Sequence, residues 1–289
     1  MQWGGKADAP ASRALFEACL AAGITDFDTA CGYTDGMAET LLGQFAAGHD
    51  LRIATKVAYF GGAGRDNILT QFDGSRKRLN MDCVDLLYIH RWDADTAIED
   101  TLNTLAELQS KGQIARIGLS NCAAWQVMKA QAVAVSLGTR IDAIQPMYSL
   151  VKRQAEVELL PMAMDQGISV IPYSPLGGGL LTGKYASGGT GRLTTDERYA
   201  ARYGPAHMHQ TAADLTAKAA ELGIHPATLA VAWVAAHPAR PSPIISAHSV
   251  AQLAPSLAAA GFDMTAALYA DLCALSQTPP PATDRLEEA

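Results

Sequence analysis

The stretch Gly23-Ile24-Thr25-Asp26-Phe27-Asp28-Thr29-Ala30-Cys31-Gly32-Tyr33 decides how the rest of the chain is read. Residues 24–27 alternate in polarity and run into a carboxylate, the pattern of a strand ending at Asp28. Small residues then lead to Tyr33. Thr34-Asp35-Gly36 signals a turn, and 37–45 reads as helix. Asp28 thus stands at the carboxyl end of a strand, with Tyr33 in the loop above it. In a parallel barrel that rim is where chemistry is placed.

Working outward, the same alternation repeats. Upstream, 10–22 is helix-like, with Leu15, Phe16, Cys19 and Leu20 on one face, and Gly23 stops it. Met1-Gln2-Trp3 reads as the end of a first strand, with Gly4-Gly5 as its turn. Downstream, strands are expected over 51–57, 84–89, 114–119, 141–145, 168–173 and 244–246. Helices are expected over 66–79, 96–110, 124–137, 155–166, 212–222, 226–237, 250–260 and 265–275. Strict alternation of strand and helix implies a parallel sheet. Eight such units favour a closed (β/α)8 barrel, a TIM barrel, over an open sheet. The chain is read as one domain over 1–289, with 276–289 as a flexible tail. The polar, glycine-rich segment 186–210 interrupts the rhythm and is expected as a loop. Gly61-Gly62-Ala63-Gly64 lacks the dinucleotide-binding spacing, which makes a Rossmann reading weak.

Composition narrows the function classes. The chain has 289 residues, 49% of them apolar and 18% charged, as expected of a globular protein with a sizeable core. A net charge of −7 argues against nucleic acid or an anionic membrane as the main partner. No apolar run approaches the ~20 residues that span a bilayer, and no signal peptide opens the chain. Cys19, Cys31, Cys83, Cys122 and Cys273 are scattered, without metal-site spacing. They are read as reduced thiols in a cytoplasmic protein, with no metal site. Cys31 is read as a small loop residue, since no adjacent base is evident.

Asp28, Lys56 and His90 share one formal position, the carboxyl ends of the second, third and fourth strands. Each alone has an ordinary structural reading. On three neighbouring strands, with Tyr33 just above, they form a chemical set. A phenol's ordinary pKa of about 10 is too high for ready proton donation at neutral pH. A nearby ammonium lowers it. Asp28 keeps a buried Lys56 charged, and His90 orients the substrate oxygen or the phenol. The set is a general acid for a carbonyl oxygen, without a nucleophile or a metal-ligand set. The hydride must then come from a cofactor.

These residues sit in a series of motifs: Asp28-Thr29-Ala30 with Tyr33, Thr55-Lys56, Leu86-Leu87-Tyr88-Ile89-His90, Gly118-Leu119-Ser120-Asn121, Gln145 and Tyr173-Ser174-Pro175-Leu176. Over essentially its whole length the chain resembles the aldo-keto reductase superfamily. The resemblance implies that Asp28, Tyr33, Lys56 and His90 are the catalytic tetrad. It further implies that Tyr33 gives the proton while hydride passes from a nicotinamide to the carbonyl carbon.

Ser120, Asn121 and Gln145 end two strands. Their short polar side chains suit a carboxamide, although position alone fits ordinary turn chemistry equally well. The resemblance implies nicotinamide-carboxamide contacts there, with the Tyr173 ring stacked on the nicotinamide. The string from Tyr173 to Tyr185, with Ser174, Pro175, Leu176, Gly178 and Lys184, looks like the family's pyrophosphate loop. Arg192, in the 186–210 segment, is a candidate phosphate contact, with a surface loop as the equal alternative.

Two departures from the family pattern stand out. Members that prefer NADP usually carry an arginine after the last strand. Here the run is Ser246-Ala247-His248-Ser249, with Gln252 following and Ser256 where an asparagine is usual. Neutral histidine makes no bidentate phosphate fork. NADP(H) is therefore the first expectation and NAD(H) the alternative. The resemblance also implies a shortened N-terminus without the usual barrel-floor β-hairpin. Trp3, Tyr59 and Trp92 lie near strand ends as substrate-pocket candidates, with core or rim packing equally open. The expected activity is NAD(P)H-dependent reduction of an aldehyde, ketone or sugar carbonyl, or the reverse, with oligomeric state undetermined. The alternative is a cofactor-binding regulatory subunit, because the resemblance extends to potassium-channel β subunits.

Overall fold

The computed structural model describes residues 2–186, 188–285 and 287. Met1, part of the expected first strand, and Ser187, in the expected loop, lie outside the described residues. So do three residues of the expected tail. The chain's contacts group into two compact units. Of the described residues, the first holds those within 2–145, 167–169 and 246–253, and the second those within 146–166, 170–245 and 254–287.

The first unit opens with α1 (Ala9–Ala21), capped by Asp8, whose Oδ1 accepts from Ala11 N at 2.9 Å. Gly23, with φ +77°, ends that helical stretch, since only glycine takes this left-handed turn at little cost. Strands then alternate with helices: β1 (Asp26–Asp28), α2 (Met37–Ala46), β2 (Arg52–Val57), α3 (Arg65–Leu79), β3 (Val84–Ile89), α4 (Ile98–Ser110), β4 (Ile114–Ser120), α5 (Ala124–Ser136) and β5 (Ala143–Gln145). All four strand pairs are parallel and sequential, with Asp28 opposite Ala54, Lys56 opposite Tyr88, Tyr88 opposite Gly118, and Ser120 opposite Gln145. Ser169, whose amide donates to Asp142 O at 2.9 Å, begins β6 (Ser169–Val170), the sixth strand in the sheet order.

Because side chains alternate along a strand, this register sorts the residues onto two faces. Lys56, Tyr88, Gly118 and Gln145 share one face. Ile53, Thr55, Leu87 and Ile144 lie on the other, and all are buried. Gly118 is required where it stands. A Cβ there would come within 2.4 Å of the Tyr88 ring. α2 and α3 cross just as closely at Gly43, where a Cβ would meet the Leu79 carbonyl oxygen at 2.5 Å. Burying each large apolar side chain in this layer, such as Phe16, Phe72 or Leu102, contributes about 1.5–3 kcal/mol.

The second unit contains α6 (Leu159–Gln166), then α7 (Arg192–Thr195), α8 (Glu197–Tyr203), α9 (Ala206–Glu221), α10 (Pro226–Ala235) and α12 (Ala266–Cys273). The helix α11 (Val250–Leu257) begins in the first unit and ends in the second. The second unit is centred on buried Trp233, stacked on Tyr269 with ring centroids 5.8 Å apart. Arg153 pairs with Glu156 at 2.8 Å beneath it and also donates to the Cys273 carbonyl at 2.9 Å.

Three expectations need correction. Residues 186–210 are not a continuous loop: α7, α8 and the start of α9 fall within them. Asp196 caps α8, its Oδ1 accepting from Arg198 N at 3.0 Å, and Tyr203 anchors it by complete burial. The expected last strand at 244–246 makes isolated bonds, Ser242 N to Val170 O and Ile244 N to Pro172 O, both 2.9 Å, but no assigned strand. Pro172 lacks the N–H donor that would bond back to Ser242 O and complete the ladder. The expected first strand is likewise absent among the described residues. Gly4, with φ +72°, turns the chain back, and Trp3 forms a single bridge with Ala7.

Candidate active site

The acid-bearing loop is built from the end of β1 upward. Thr29 N donates to Ala54 O at 2.9 Å and Cys31 N to Lys56 O at 3.0 Å, carrying the β1–β2 pairing past the strand end. Tyr33 then opens a turn whose next residues, Thr34 (φ +48°) and Asp35 (φ +53°), are left-handed without being glycine. That strain is held by the Thr34 hydroxyl, which accepts from Ala38 N at 3.1 Å and contacts Trp3 O at 2.8 Å.

Lys56 is fully buried. Its Nζ donates to Asp28 Oδ1 and to Thr29 O, the latter at 2.7 Å. Burial alone would pull the ammonium pKa down. The Asp28 carboxylate, and then the nearby Tyr33 oxygen, outweigh it, so the pKa is raised and the lysine stays charged. Nζ lies 5.1 Å from the Tyr33 ring centroid. The His90 ring meets the Tyr33 ring edge-on, centroids 5.9 Å apart. Burial, then the charges of Lys56 and Arg91, depress the His90 pKa to about 3, so the imidazole is neutral at pH 7. Its Nδ1 is buried without a hydrogen-bond partner among the described residues. The four residues singled out in the sequence are therefore brought together in one unit.

Tyr88 is a second phenol on this face, and Lys56 Nζ lies 5.9 Å from its ring. Burial, and then the Asp28 charge, push its pKa up, which keeps it protonated. Tyr33 lies nearer the ammonium, with its ring centroid 5.1 Å from Nζ.

The strand-end amides are engaged with the same cluster. Gln145 Nε2 donates to Asp28 Oδ2 at 2.9 Å. Ser120 Oγ donates to the Gln145 carbonyl at 3.0 Å, and Asn121 Nδ2 to the His90 carbonyl at 2.9 Å. Sequence reasoning missed the Gln145–Asp28 bond, which spans 117 positions and has no local signature. Ser246 and His248 are exposed, and His248 N donates to Gln252 Oε1 at 2.9 Å, so Gln252 closes the turn before α11.

The pocket candidates separate. The Tyr59 ring lies 4.9 Å from His90, with the Arg91 guanidinium 5.2 Å from the Tyr59 ring. The Trp92 ring packs on Trp125 at 5.9 Å. Trp3 does not face the tetrad. Its ring lies among Phe16, Phe27 and Phe45, at 6.3, 6.3 and 5.8 Å, in the layer between β1 and helices α1 and α2. Phe27 alternates away from Asp28, and the Gly4 turn delivers Trp3 to that same outer face. Cys31 is held as a thiol. Its pKa is pushed up to about 11, mainly by burial, and its Sγ donates to Gln71 Oε1 at 3.4 Å.

In the second unit, Tyr173 pairs with Met147 in a parallel bridge. Ser174 (φ +60°) is left-handed, while Pro175 and Leu176 lead into a turn of left-handed glycines, Gly177 to Gly179. A Cβ on Gly178 would strike Tyr199 at 2.9 Å, so this glycine is needed for close packing. Lys184 Nζ lies 4.9 Å from the Tyr185 ring. Arg192 donates to Tyr199 OH at 3.1 Å. Lys152, Arg192 and Arg202 have no carboxylate within ion-pair distance among the described residues. Unpaired cations beside a glycine turn fit a diphosphate. The buried His90 nitrogen and the polar ends of β4 and β5 fit a polar ring and its carboxamide. No group of metal-ligating side chains occurs among the described residues, and no helix among them is long and apolar enough to cross a membrane.

The model of the Aldo/keto reductase family matches residues 1–277. Aflatoxin B1 aldehyde reductase member 2 of Homo sapiens is 39% identical over 193 residues, covering 64% of this chain and 54% of that protein. The chain thus spans about half the length of these curated relatives. A probable voltage-gated potassium channel subunit beta of Oryza sativa subsp. japonica is 34% identical over 262 residues, covering 82% of this chain and 77% of that protein. The uncharacterized oxidoreductase YrpG of Bacillus subtilis (strain 168) is 33% identical over 277 residues, covering 88% and 83%. With the family matched over nearly the whole chain, and the parallel strand–helix order in place, the chain belongs to the aldo/keto reductase family and has that family's (β/α)8 barrel fold class.

Proposed function

We propose that this chain is an NAD(P)H-dependent oxidoreductase that reduces an aldehyde, ketone or sugar carbonyl, or runs the reverse reaction. The observation that carries the reading is the fully buried Lys56, kept charged by Asp28 and lying 5.1 Å from the Tyr33 ring centroid beside a neutral His90. A nicotinamide nucleotide, when bound, supplies hydride to the carbonyl carbon. Tyr33 gives its hydroxyl proton to the carbonyl oxygen as negative charge gathers there. Lys56 stabilises the phenolate left behind, and Asp28 maintains the lysine's charge. His90 orients the substrate oxygen by a hydrogen bond without adding charge. Tyr59 and Trp92 supply apolar surface for the substrate.

Ser120, Asn121 and Gln145 would hold the carboxamide, and Tyr173 the nicotinamide ring. Ser174 to Leu176, Gly178, Lys184 and Arg192 would hold the diphosphate. Ser246, His248 and Gln252 would meet the far end of the nucleotide, NADP(H) first and NAD(H) as the alternative. The likeness to aflatoxin B1 aldehyde reductases favours aldehydes as the first substrates to try. We read the chain as one cytoplasmic barrel domain. The likeness to a potassium channel subunit beta supports a second reading, a cofactor-binding regulatory subunit with little turnover.

The test is NADPH and NADH oxidation by purified protein over a panel of aldehydes and sugars, beside Tyr33→Phe. Loss of a proton donor should lower kcat by about 10²–10⁴-fold with cofactor affinity retained. Equal turnover by both proteins would refute the mechanism. Tight cofactor binding without turnover, together with a stable partner, would favour the regulatory reading.

A further inference from the structure

A buried carboxylate on the opposite face of β2 has no part in the chemistry above. Glu39, the third residue of α2, is 0% exposed. Its Oε1 accepts from the Thr55 hydroxyl at 2.5 Å, and its Oε2 from Arg78 Nε at 2.7 Å. Thr55 is also fully buried and directly precedes Lys56 in β2. Because strand side chains alternate, Thr55 faces the helices while Lys56 faces the tetrad.

Arg78 does more than neutralise Glu39. Its chain lies against Gly36, where a Cβ would meet Arg78 Cδ at 2.7 Å and Nε at 2.8 Å. Gly36 closes the left-handed turn that begins at Tyr33. One residue of α3 therefore touches both the end of the Tyr33 turn and the carboxylate that grips the lysine strand. Four residues from Arg78 on the same helix, Gly74 leaves room for its guanidinium. A turn further back, Gln71 Oε1 accepts from Ala58 N at 2.8 Å and from Cys31 Sγ at 3.4 Å. It thereby ties the loop after β2 to the loop before Tyr33.

We propose that Glu39, Thr55 and Arg78 are positioning residues for proton transfer. They form a latch across α2, β2 and α3 that sets the Tyr33 hydroxyl against the Lys56 ammonium. The proposal rests on the reading of Tyr33 and Lys56 as the proton-donating pair. Two features ask for such a latch. Tyr33 is followed by three left-handed residues, which leaves the turn under strain. A buried ion pair is also a weak source of stability, since desolvation offsets much of its attraction, whereas it holds geometry well. The Thr55 hydroxyl bond fixes β2 one residue from Lys56, so a slip there moves the ammonium relative to the phenol. Displacements of about 1 Å can cost catalysis on the order of 100-fold.

The experiment uses the full chain and reads the Tyr33 phenol directly. The Tyr33 ¹³Cζ resonance of ring-labelled protein, assigned by its loss in Tyr33→Phe, is titrated with pH in wild type, Thr55→Val, Thr55→Ser and Glu39→Gln. Carbonyl reduction and thermal unfolding are measured beside it. Thr55→Val should raise the Tyr33 pKa and lower kcat by ~10-fold or more, with KM little changed. Thr55→Ser, which keeps the hydroxyl, should restore both to near wild type. If Thr55→Val does not fold, Glu39→Gln is read in the same way, because it keeps an acceptor for Thr55 and weakens only the Arg78 arm. A Tyr33 titration identical to wild type in a folded Thr55→Val or Glu39→Gln variant would overturn the latch, even where stability falls. Wild-type protein that reduces no carbonyl would instead count against the functional reading, while the Tyr33 titration would still decide the latch.

Discussion

His90 makes stability depend on pH in a calculable way. Its pKa is about 3 in the folded chain, against an ordinary 6.5, because burial and then the Lys56 and Arg91 charges disfavour the imidazolium. The unfolded chain binds this proton below pH 6.5, while the folded chain refuses it until about pH 3. Stability contributed by the neutral ring is therefore fully present above 6.5 and is lost as pH falls from 6.5 toward 3. At pH 5 the unfolded state gains RT ln(1 + 10^1.5), which is about 2 kcal/mol. The full window of 6.5 − 3 = 3.5 pKa units corresponds to about 5 kcal/mol. His237, also depressed by burial, acts in the same direction, so wild type alone does not isolate His90. The perturbation is His90→Gln, which keeps a polar side chain and removes the titration. Urea unfolding of both proteins at pH 7.5 and pH 5.0 gives the difference of differences. Wild type should lose about 2 kcal/mol more than the variant on acidification. Equal losses would mean that His90 is protonated in the folded state near its ordinary pKa. The neutral hydrogen-bonding role would then fall with the stability argument.

The remaining predictions concern other supports of the site. Asp28→Asn leaves the Lys56 ammonium buried without its carboxylate. It should cost about 3–5 kcal/mol in denaturant unfolding at pH 7, and a loss below 1 kcal/mol would mean the lysine is not held charged. Gly43→Ala puts a Cβ against the Leu79 backbone oxygen, which has no side-chain freedom to yield. It should lower stability by about 1–3 kcal/mol by pushing α2 and α3 apart, as thermal unfolding would show. His248→Arg adds a bidentate phosphate partner at an exposed turn. The ratio of NADH to NADPH dissociation constants, measured by fluorescence titration, should rise by about 10-fold, and an unchanged ratio would remove His248 from the nucleotide site.

Much of the site was legible because it lies where patterns end. The strands of the first unit are short, and Asp28, Lys56, His90, Ser120 and Gln145 are the polar residues at, next to or just past their last positions. Period-two alternation then predicts which of them share a face. Other features carried no such mark. Residues 192–203 lack an apolar stripe, so α7 and α8 were hidden. They are held by a cap at Asp196 and by buried Tyr203. Trp3, for which the sequence left a pocket and core or rim packing equally open, is placed by the Gly4 turn among Phe16, Phe27 and Phe45. Glu39 was not singled out in the sequence, where it lies amid Ala38, Leu41, Leu42 and Phe45. Its partners, Thr55 and Arg78, are 16 and 39 positions away.

The sequence by itself determined the order of strands and helices over residues 9–145, the parallel sheet they imply and the chemical types gathered at the strand ends. Those follow from local hydrophobic period and from the turn residues that punctuate it. Only the tertiary structure decided the pairings beyond Asp28 and Lys56. Asp28 serves both Lys56 and Gln145, while Glu39 serves Arg78 and Thr55. These choices depend on burial, which makes an unpaired charge too costly to leave, and on distances between residues far apart in the chain. The left-handed turn that presents Tyr33 to Lys56 belongs to the same category. Its strain is tolerable because contacts from Trp3, Ala38 and Arg78 meet around it.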